Sequence, residues 1–288
     1  MAHVLVLRTA GTNCDEETVY AFELTGADVE RLHVGVLLRG ERRLDEFDVF
    51  VLPGGFAYGD DLGAGAVLAN QLRTRLADDL RSFVASGKLV LGICNGFQVL
   101  VRLGILPGWE GEKAASLIEN VSGKFEDRWV QLRVASTLSP FLDFAPDDGS
   151  NPHPHGLRLP IAHKEGRFVL RDAALVERLR ENGQIAFTYC RTDTGESAAA
   201  DACGEYPANP NGSVADVAGL LNPAGNVLGL MPHPERFVHR LQDPLWTRQR
   251  RSDSRDAGGG DDLTRSGDGF ALFESAVRYV DRCVEGSA

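Results

Sequence analysis

Residues 88–103, Lys-Leu-Val-Leu-Gly-Ile-Cys-Asn-Gly-Phe-Gln-Val-Leu-Val-Arg-Leu, run a buried-strand pattern straight into a cysteine and then into a helical pattern. Leu89, Val90, Leu91 and Ile93 form a nearly continuous apolar run, as a strand covered on both faces of a parallel sheet requires. Phe97, Leu100, Val101 and Gly104 follow at helical spacing, with Cys94 at the joint. Gly92 and Gly96 complete Gly-x-Cys-x-Gly, in which small flanking residues allow a sharp turn that holds the thiol out at the carboxyl edge of the sheet. A helix beginning there brings unpaired N–H groups and a positive dipole end to the sulfur, which favours thiolate over thiol. A cysteine at a strand end is on its own more often a small buried hydrophobe than a nucleophile. The pattern therefore needs a base.

One lies far downstream, in Leu228-Gly-Leu-Met-Pro-His233-Pro-Glu235. Pro234 keeps the preceding step extended, and in an extended segment residues i and i+2 point the same way, so His233 and Glu235 emerge on one face. An imidazole beside a thiol is the common means of activating it. A carboxylate behind the imidazole fixes its tautomer and stabilises the imidazolium. Cys94, His233 and Glu235 are thus the candidate catalytic triad.

Seven segments carry a resemblance that spans most of the chain. They are Gly11-Thr-Asn-Cys-Asp15, Leu52-Pro-Gly-Gly-Phe-Ala-Tyr-Gly-Asp60, Gly92-Ile-Cys-Asn-Gly-Phe-Gln98, Pro160-Ile-Ala-His-Lys-Glu-Gly166, Gln184-Ile-Ala-Phe-Thr-Tyr189, Asn209-Pro-Asn-Gly-Ser213 and Met231-Pro-His-Pro-Glu-Arg236. In this set and order the chain resembles the class I, triad-type glutamine amidotransferases, and among them is similar to the glutaminase subunits of phosphoribosylformylglycinamidine synthases. The resemblance implies glutamine as substrate, hydrolysed to glutamate and ammonia. It implies that N–H groups near Gly55 and at Asn95 form an oxyanion hole, with Gly54 letting backbone approach the substrate, and that Gln98 and His163 border the glutamine pocket. It also implies a separate synthetase subunit that uses ATP and magnesium to aminate formylglycinamide ribonucleotide, and a small bridging subunit. No cofactor is expected on this chain, which lacks the Gly-Lys-Ser/Thr ending of a phosphate loop.

Two departures from the family pattern are visible. Lys164 stands where His-Gly-Glu-Gly is usual, which puts the local backbone in question, and Glu119 and Lys124 stand where arginines are usual. Alternatives from other classes are a cysteine-elbow hydrolase of the peptidase-like branch of this architecture, and a catalytically silent scaffold subunit. The His-Pro-Glu element argues against the first, and the complete triad against the second.

Strands alternate with helices in the first half: strands over 4–7, 29–32, 48–52 and 89–93, and helices over 14–24 and 68–87. That order implies right-handed crossovers and a mostly parallel sheet, with ligands beyond the carboxyl ends of the strands. Short strands over 130–134, 158–162, 185–189, 217–221 and 227–230 then suggest antiparallel additions, and a helix over 270–280 closes the chain. The expected fold is α/β, one flavodoxin-like three-layer domain spanning residues 1–288. Surface insertions are expected at 143–156, 191–207 and 242–269, the last containing Arg248, Arg250 and Arg251; they read as solvated loops or as partner contacts.

At 288 residues and 43% hydrophobic the chain can bury a full core. Its net charge of −11 argues against a nucleic-acid surface. Five cysteines without a C-x-x-C pair suggest neither a disulfide framework nor a structural zinc site, and point to a reducing cytoplasm. No metal site and no membrane span is expected. Cys14 has Asn13 and Asp15 beside it but no implied base, so it reads as structural, and Cys190, Cys203 and Cys283 as inert. His163 edges the glutamine pocket or the synthetase-facing surface, or lies in a plain surface turn. His153, His155 and His239 are expected to be solvated.

Overall fold

The computed structural model describes residues 1–109, 113–144, 156–191, 201–247 and 266–285. Its centre is a nine-stranded sheet in the order β2-β1-β3-β4-β11-β10-β9-β6-β7. The strands are β1 (His3–Arg8), β2 (Asp28–His33), β3 (Val49–Leu52), β4 (Leu89–Ile93), β6 (Glu126–Val134), β7 (Leu157–His163), β9 (Ile185–Cys190), β10 (Val217–Leu221) and β11 (Val227–Leu230). β5 (Ala115–Ile118) and β8 (Arg167–Leu170) pair antiparallel beside it. The pairs β1–β2, β1–β3, β3–β4 and β4–β11 are parallel, and those from β11 onward are antiparallel. Only β10 and β6 therefore run against the common direction. This is the α/β sheet with antiparallel additions that the strand pattern implied.

Burial explains why the central strands read so clearly in the sequence. Every residue of β3, β4, β10 and β11 is buried, the condition that produces uninterrupted apolar runs. β7 alternates buried and half-buried residues, as a strand with one face less covered does. β6 extends further than its apolar stretch suggested, because β7 pairs with it from Glu126 to Leu132 whereas β9 pairs only from Gln131 to Val134.

The helices are α1 (Asp15–Glu23), α2 (Val34–Leu38), α3 (Ala66–Arg75), α4 (Ala77–Ala85), α5 (Asn95–Leu103), α6 (Leu175–Glu181) and α7 (Phe270–Glu285). The helical stretch expected over 68–87 is two helices, since Leu76 leaves helical geometry at φ −132° and turns its buried side chain into the core. α5 packs on β3, β4 and β11, with α3 alongside, while α1 meets α7 through an edge-to-face Phe22–Phe273 contact at 4.9 Å. α2, α6, β5 and β8 were not expected; each is only four to seven residues long, too short to establish a period.

Parts of the three expected insertions fall within the described residues and are tied down, the second by Arg191 pairing with Glu205. The Asp143 backbone carbonyl accepts from Ser275 Oγ and Arg278, its carboxylate meets Arg282 at 2.9 Å, and Asp243 pairs with Arg158. Arg248, Arg250, Arg251, His153 and His155 lie outside the described residues. No described helix is long and apolar enough to cross a membrane.

Candidate active site

Three carboxyl ends of parallel strands meet at one place. β3 delivers Gly54 and Gly55, β4 delivers Cys94, and β11 leads into His233, with Leu52 opposite Gly92 and Leu230 opposite Ile93 in the ladders. The Cys94 N–H donates to the Leu230 carbonyl at 2.8 Å and the His233 N–H to the Pro160 carbonyl at 2.8 Å, so backbone bonds from the strands fix where Cys94 and His233 sit.

Cys94 sits at φ 50°, ψ −101°, a conformation that L-residues seldom adopt, immediately before α5. Its neighbours make that turn attainable. A Cβ on Gly96 would lie 1.8 Å from the Leu52 carbonyl oxygen, and one on Gly92 would lie 2.5 Å from Leu100 Cδ1. The Cys94 carbonyl accepts from the Gln98 N–H at 3.1 Å, which starts the helix and leaves the N–H groups of its first turn, Asn95 among them, without intrahelical acceptors. The Cys94 thiol is 5% exposed and lies 3.8 Å from the Ala162 carbonyl.

Behind it, His233 and Glu235 are buried, and His233 Nδ1 is 2.6 Å from Glu235 Oε1. His233 Nε2 is buried with no hydrogen-bond partner among the described residues. Burial works against protonating this imidazole, but the charges of Glu235 and Cys94 outweigh it and hold the His233 pKa well above the ordinary histidine value. The triad read from the sequence is therefore brought together.

The loop after β3 carries the backbone expected on the oxyanion side. Phe56 N–H donates to the Gly11 carbonyl and Cys14 N–H to the Gly54 carbonyl, so these flanking groups make the ladder bonds around the Thr12–Gly55 bridge and the Gly55 N–H lies outside them. Gly55 has φ +138°, and a Cβ there would press on Asn13 N at 2.7 Å. A Cβ on Gly54 would meet His233 Cε1 at 2.7 Å, so this glycine is where the imidazole passes the backbone. Asn95 fastens the elbow to the loop: its Oδ1 accepts from Ala57 N–H, and its Nδ2 donates to Asp60 Oδ1 and Gln98 Oε1. Burial, and then the nearby charge of Glu165, raises the pKa of the Asp60 carboxyl.

Gln98 is on the expected face of α5, but its amide Nε2 donates to the Glu165 carbonyl at 2.7 Å and its oxygen accepts from Asn95. Its polar groups join it to Asn95 and tie α5 to the loop after β7. His163 is not in a plain surface turn. It is 3% exposed, its Nδ1 lies 3.2 Å from Asn120 Oδ1, and its ring occupies the space a Gly166 side chain would need. Burial, and then the charge of His233, depresses its pKa to about 3. The substitution at 164 is resolved too: Lys164 is not among the residues of positive φ, and its ammonium meets Glu119 at 3.1 Å, so two departures from the family pattern pair with each other.

Two expectations gain partners that the sequence did not show. Cys14 was read as structural with no implied base, and the contacts that reading lacked are His233 Nδ1, 3.9 Å from its Sγ, and Arg236 Nη2, which donates to the sulfur at 3.1 Å. The sequence concealed this because 219 residues separate the partners. His239 keeps part of its surface in solvent and is half-buried, with Nε2 2.8 Å from the Tyr20 hydroxyl, a contact the sequence did not show. Arg236 and Asn120 were missed as individual residues, although both lie in segments that carried the resemblance or flanked it.

Residues 1–280 match the CobB/CobQ-like glutamine amidotransferase domain family. Similar proteins include the phosphoribosylformylglycinamidine synthase subunit PurQ of Dehalococcoides mccartyi, 42% identical over 96% of either chain. The PurQ of Methanococcus maripaludis is 38% identical over 97% of either chain. Among solved structures, PurLQS from Thermotoga maritima contains a chain that superposes with a TM-score of 0.66 at 31% identity, covering 97% of this chain and 100% of that one. The chain belongs to the CobB/CobQ-like glutamine amidotransferase domain family.

Proposed function

We propose that this chain is the glutaminase subunit of a phosphoribosylformylglycinamidine synthase and that Cys94, His233 and Glu235 perform its chemistry. The observation that carries the reading is the buried His233, backed by Glu235 at 2.6 Å and held protonated by the charges of Glu235 and Cys94 at the end of β4. The Cys94 thiolate attacks the side-chain carbonyl of glutamine, and the developing oxyanion is met by the N–H groups of Gly55 and Asn95. One such donor typically contributes on the order of 10²–10³-fold in rate. The His233 imidazolium gives its proton to the departing amine, which leaves as ammonia as the tetrahedral intermediate collapses to a γ-glutamyl thioester. The now neutral imidazole takes a proton from water, hydroxide adds to the thioester, and glutamate leaves with the thiolate restored.

Ammonia then passes to a synthetase subunit that aminates formylglycinamide ribonucleotide to formylglycinamidine ribonucleotide. ATP and magnesium are assigned to that subunit, and a small third subunit to bridging the two. Relatives named PurQ and a solved assembly named PurLQS support this placement. All five cysteines are free, which fits a cytoplasmic location. The residues around the site argue against a silent scaffold, because a scaffold gains nothing from a strained cysteine aligned with a carboxylate-backed imidazole.

The test is glutamate release from glutamine by the purified chain, alone and with its synthetase. Release that the synthetase raises and that Cys94→Ala abolishes is the expected result. Absence of release from folded protein with an active partner would overturn the reading.

A further inference from the structure

The rear of the catalytic imidazole has two neighbours rather than one. Glu235 Oε1 lies 2.6 Å from His233 Nδ1, and Cys14 Sγ lies 3.9 Å from the same nitrogen, within reach of a hydrogen bond to sulfur. Cys14 is completely buried at the start of α1. Its own surroundings fix which way its polarity points. The thiol hydrogen is directed to Asn13 Oδ1 at 3.2 Å, and the sulfur accepts from the Arg236 guanidinium at 3.1 Å. With its hydrogen committed to Asn13 and a cation donating to it, the sulfur presents only lone pairs to His233. Both groups facing Nδ1 are therefore acceptors, and the tautomer of a histidine is set by the bonds its nitrogens make.

We propose that Cys14 is a positioning residue: braced by Arg236, it acts with Glu235 as a second acceptor that keeps the proton on His233 Nδ1 and leaves Nε2 free for proton transfer with Cys94. Gly54 completes the arrangement, since a Cβ there would lie 3.2 Å from both Cys14 Sγ and His233 Nδ1 and would wedge them apart. The sulfur, imidazole and Glu235 ligand atoms lie within 4.8 Å of one another, a spacing that a soft metal ion could bridge. The guanidinium on the sulfur opposes a cation there, and Nδ1 is already engaged by the carboxylate, so the hydrogen-bonding role is the one the geometry supports. This role rests on the triad proposed above.

The experiment compares Cys14→Ala, Cys14→Ser and wild type in the complex with the synthetase, measuring kcat and KM for glutamine across pH, thermal melting, and ring 15N NMR of His233. Cys14→Ala should lower kcat on the order of 10-fold with KM unchanged, a fraction of the 10²–10⁴-fold that positioned acid–base groups supply. Its high-pH limb should move to lower pH, because an acceptor that supports the imidazolium is gone, and its 15N shifts recorded above that limb, where the ring is neutral, should show loss of the pure Nδ1–H tautomer. Cys14→Ser, which can still accept from Arg236, should recover most of the rate and the limb. A wild-type profile in Cys14→Ala would overturn the proposal, as would a fall in kcat and melting temperature with limb and tautomer unmoved. Wild type that releases no glutamate would instead sink the glutaminase reading itself.

Discussion

At the scale of single residues, His233 is the point where burial and charge contend, and charge wins. Burial alone would keep it neutral, as it does His163, whose pKa falls to about 3. The difference is Glu235, the first of the charges raising His233. Glu235→Gln should therefore lower kcat by roughly 10²–10⁴-fold, in the range seen when an orienting carboxylate is neutralised. It should also move the high-pH limb to lower pH, because the imidazolium loses its counter-charge; a kcat–pH profile checks both. The triad was legible in the sequence because each member sits in a short motif with its own local logic. Arg236 and the role of Cys14 were not, because their partners come from segments at opposite ends of the chain, and a lone cysteine carries no local signal of what lies against it.

At the scale of elements, the strand–elbow–helix unit depends on close approach. The Gly96 Cα passes so near β3 that a methyl group would stand 1.8 Å from the Leu52 carbonyl oxygen. Gly96→Ala should cost about 3 kcal/mol or more, at the severe end of overpacking because backbone, not a mobile side chain, is the obstacle. Urea denaturation checks this, and unchanged stability would show that β3 and α5 separate more easily than their packing implies. β3, β4, β10 and β11 were read directly because they are buried throughout, and α7 because its pattern is long. β5, β8, α2 and α6 are defined by tertiary partners rather than by a period of their own. The break at Leu76 has the same origin: a side chain wanted in the core overrides helix continuity.

At the scale of the whole molecule, a parallel half supplies the catalytic edge and an antiparallel half extends the sheet beyond β11, contributing His163 at the end of β7. The two histidines that are buried among the described residues oppose each other in pH dependence. His163 is below the unfolded value of about 6.5, so the unfolded chain binds the extra proton, and stability is lost as pH falls from about 6.5 toward about 3. His233 is above that value, so its contribution is full below pH ~6.5 and is lost as pH rises through the folded pKa. Unfolding measured between pH 7 and pH 5 should thus carry a His163 component of up to roughly 1.4 kcal/mol per pH unit. His163→Asn should remove that component, flattening the dependence relative to wild type; an unaltered slope would mean that His163 opens to solvent before it protonates. The central claim concerns which sulfur takes the acyl group, and acid-quench mass spectrometry of the complex turning over glutamine reads it directly. The account predicts a γ-glutamyl adduct on the peptide containing Cys94, absent in Cys94→Ala. An adduct on Cys14, or turnover without any adduct on Cys94, would contradict it.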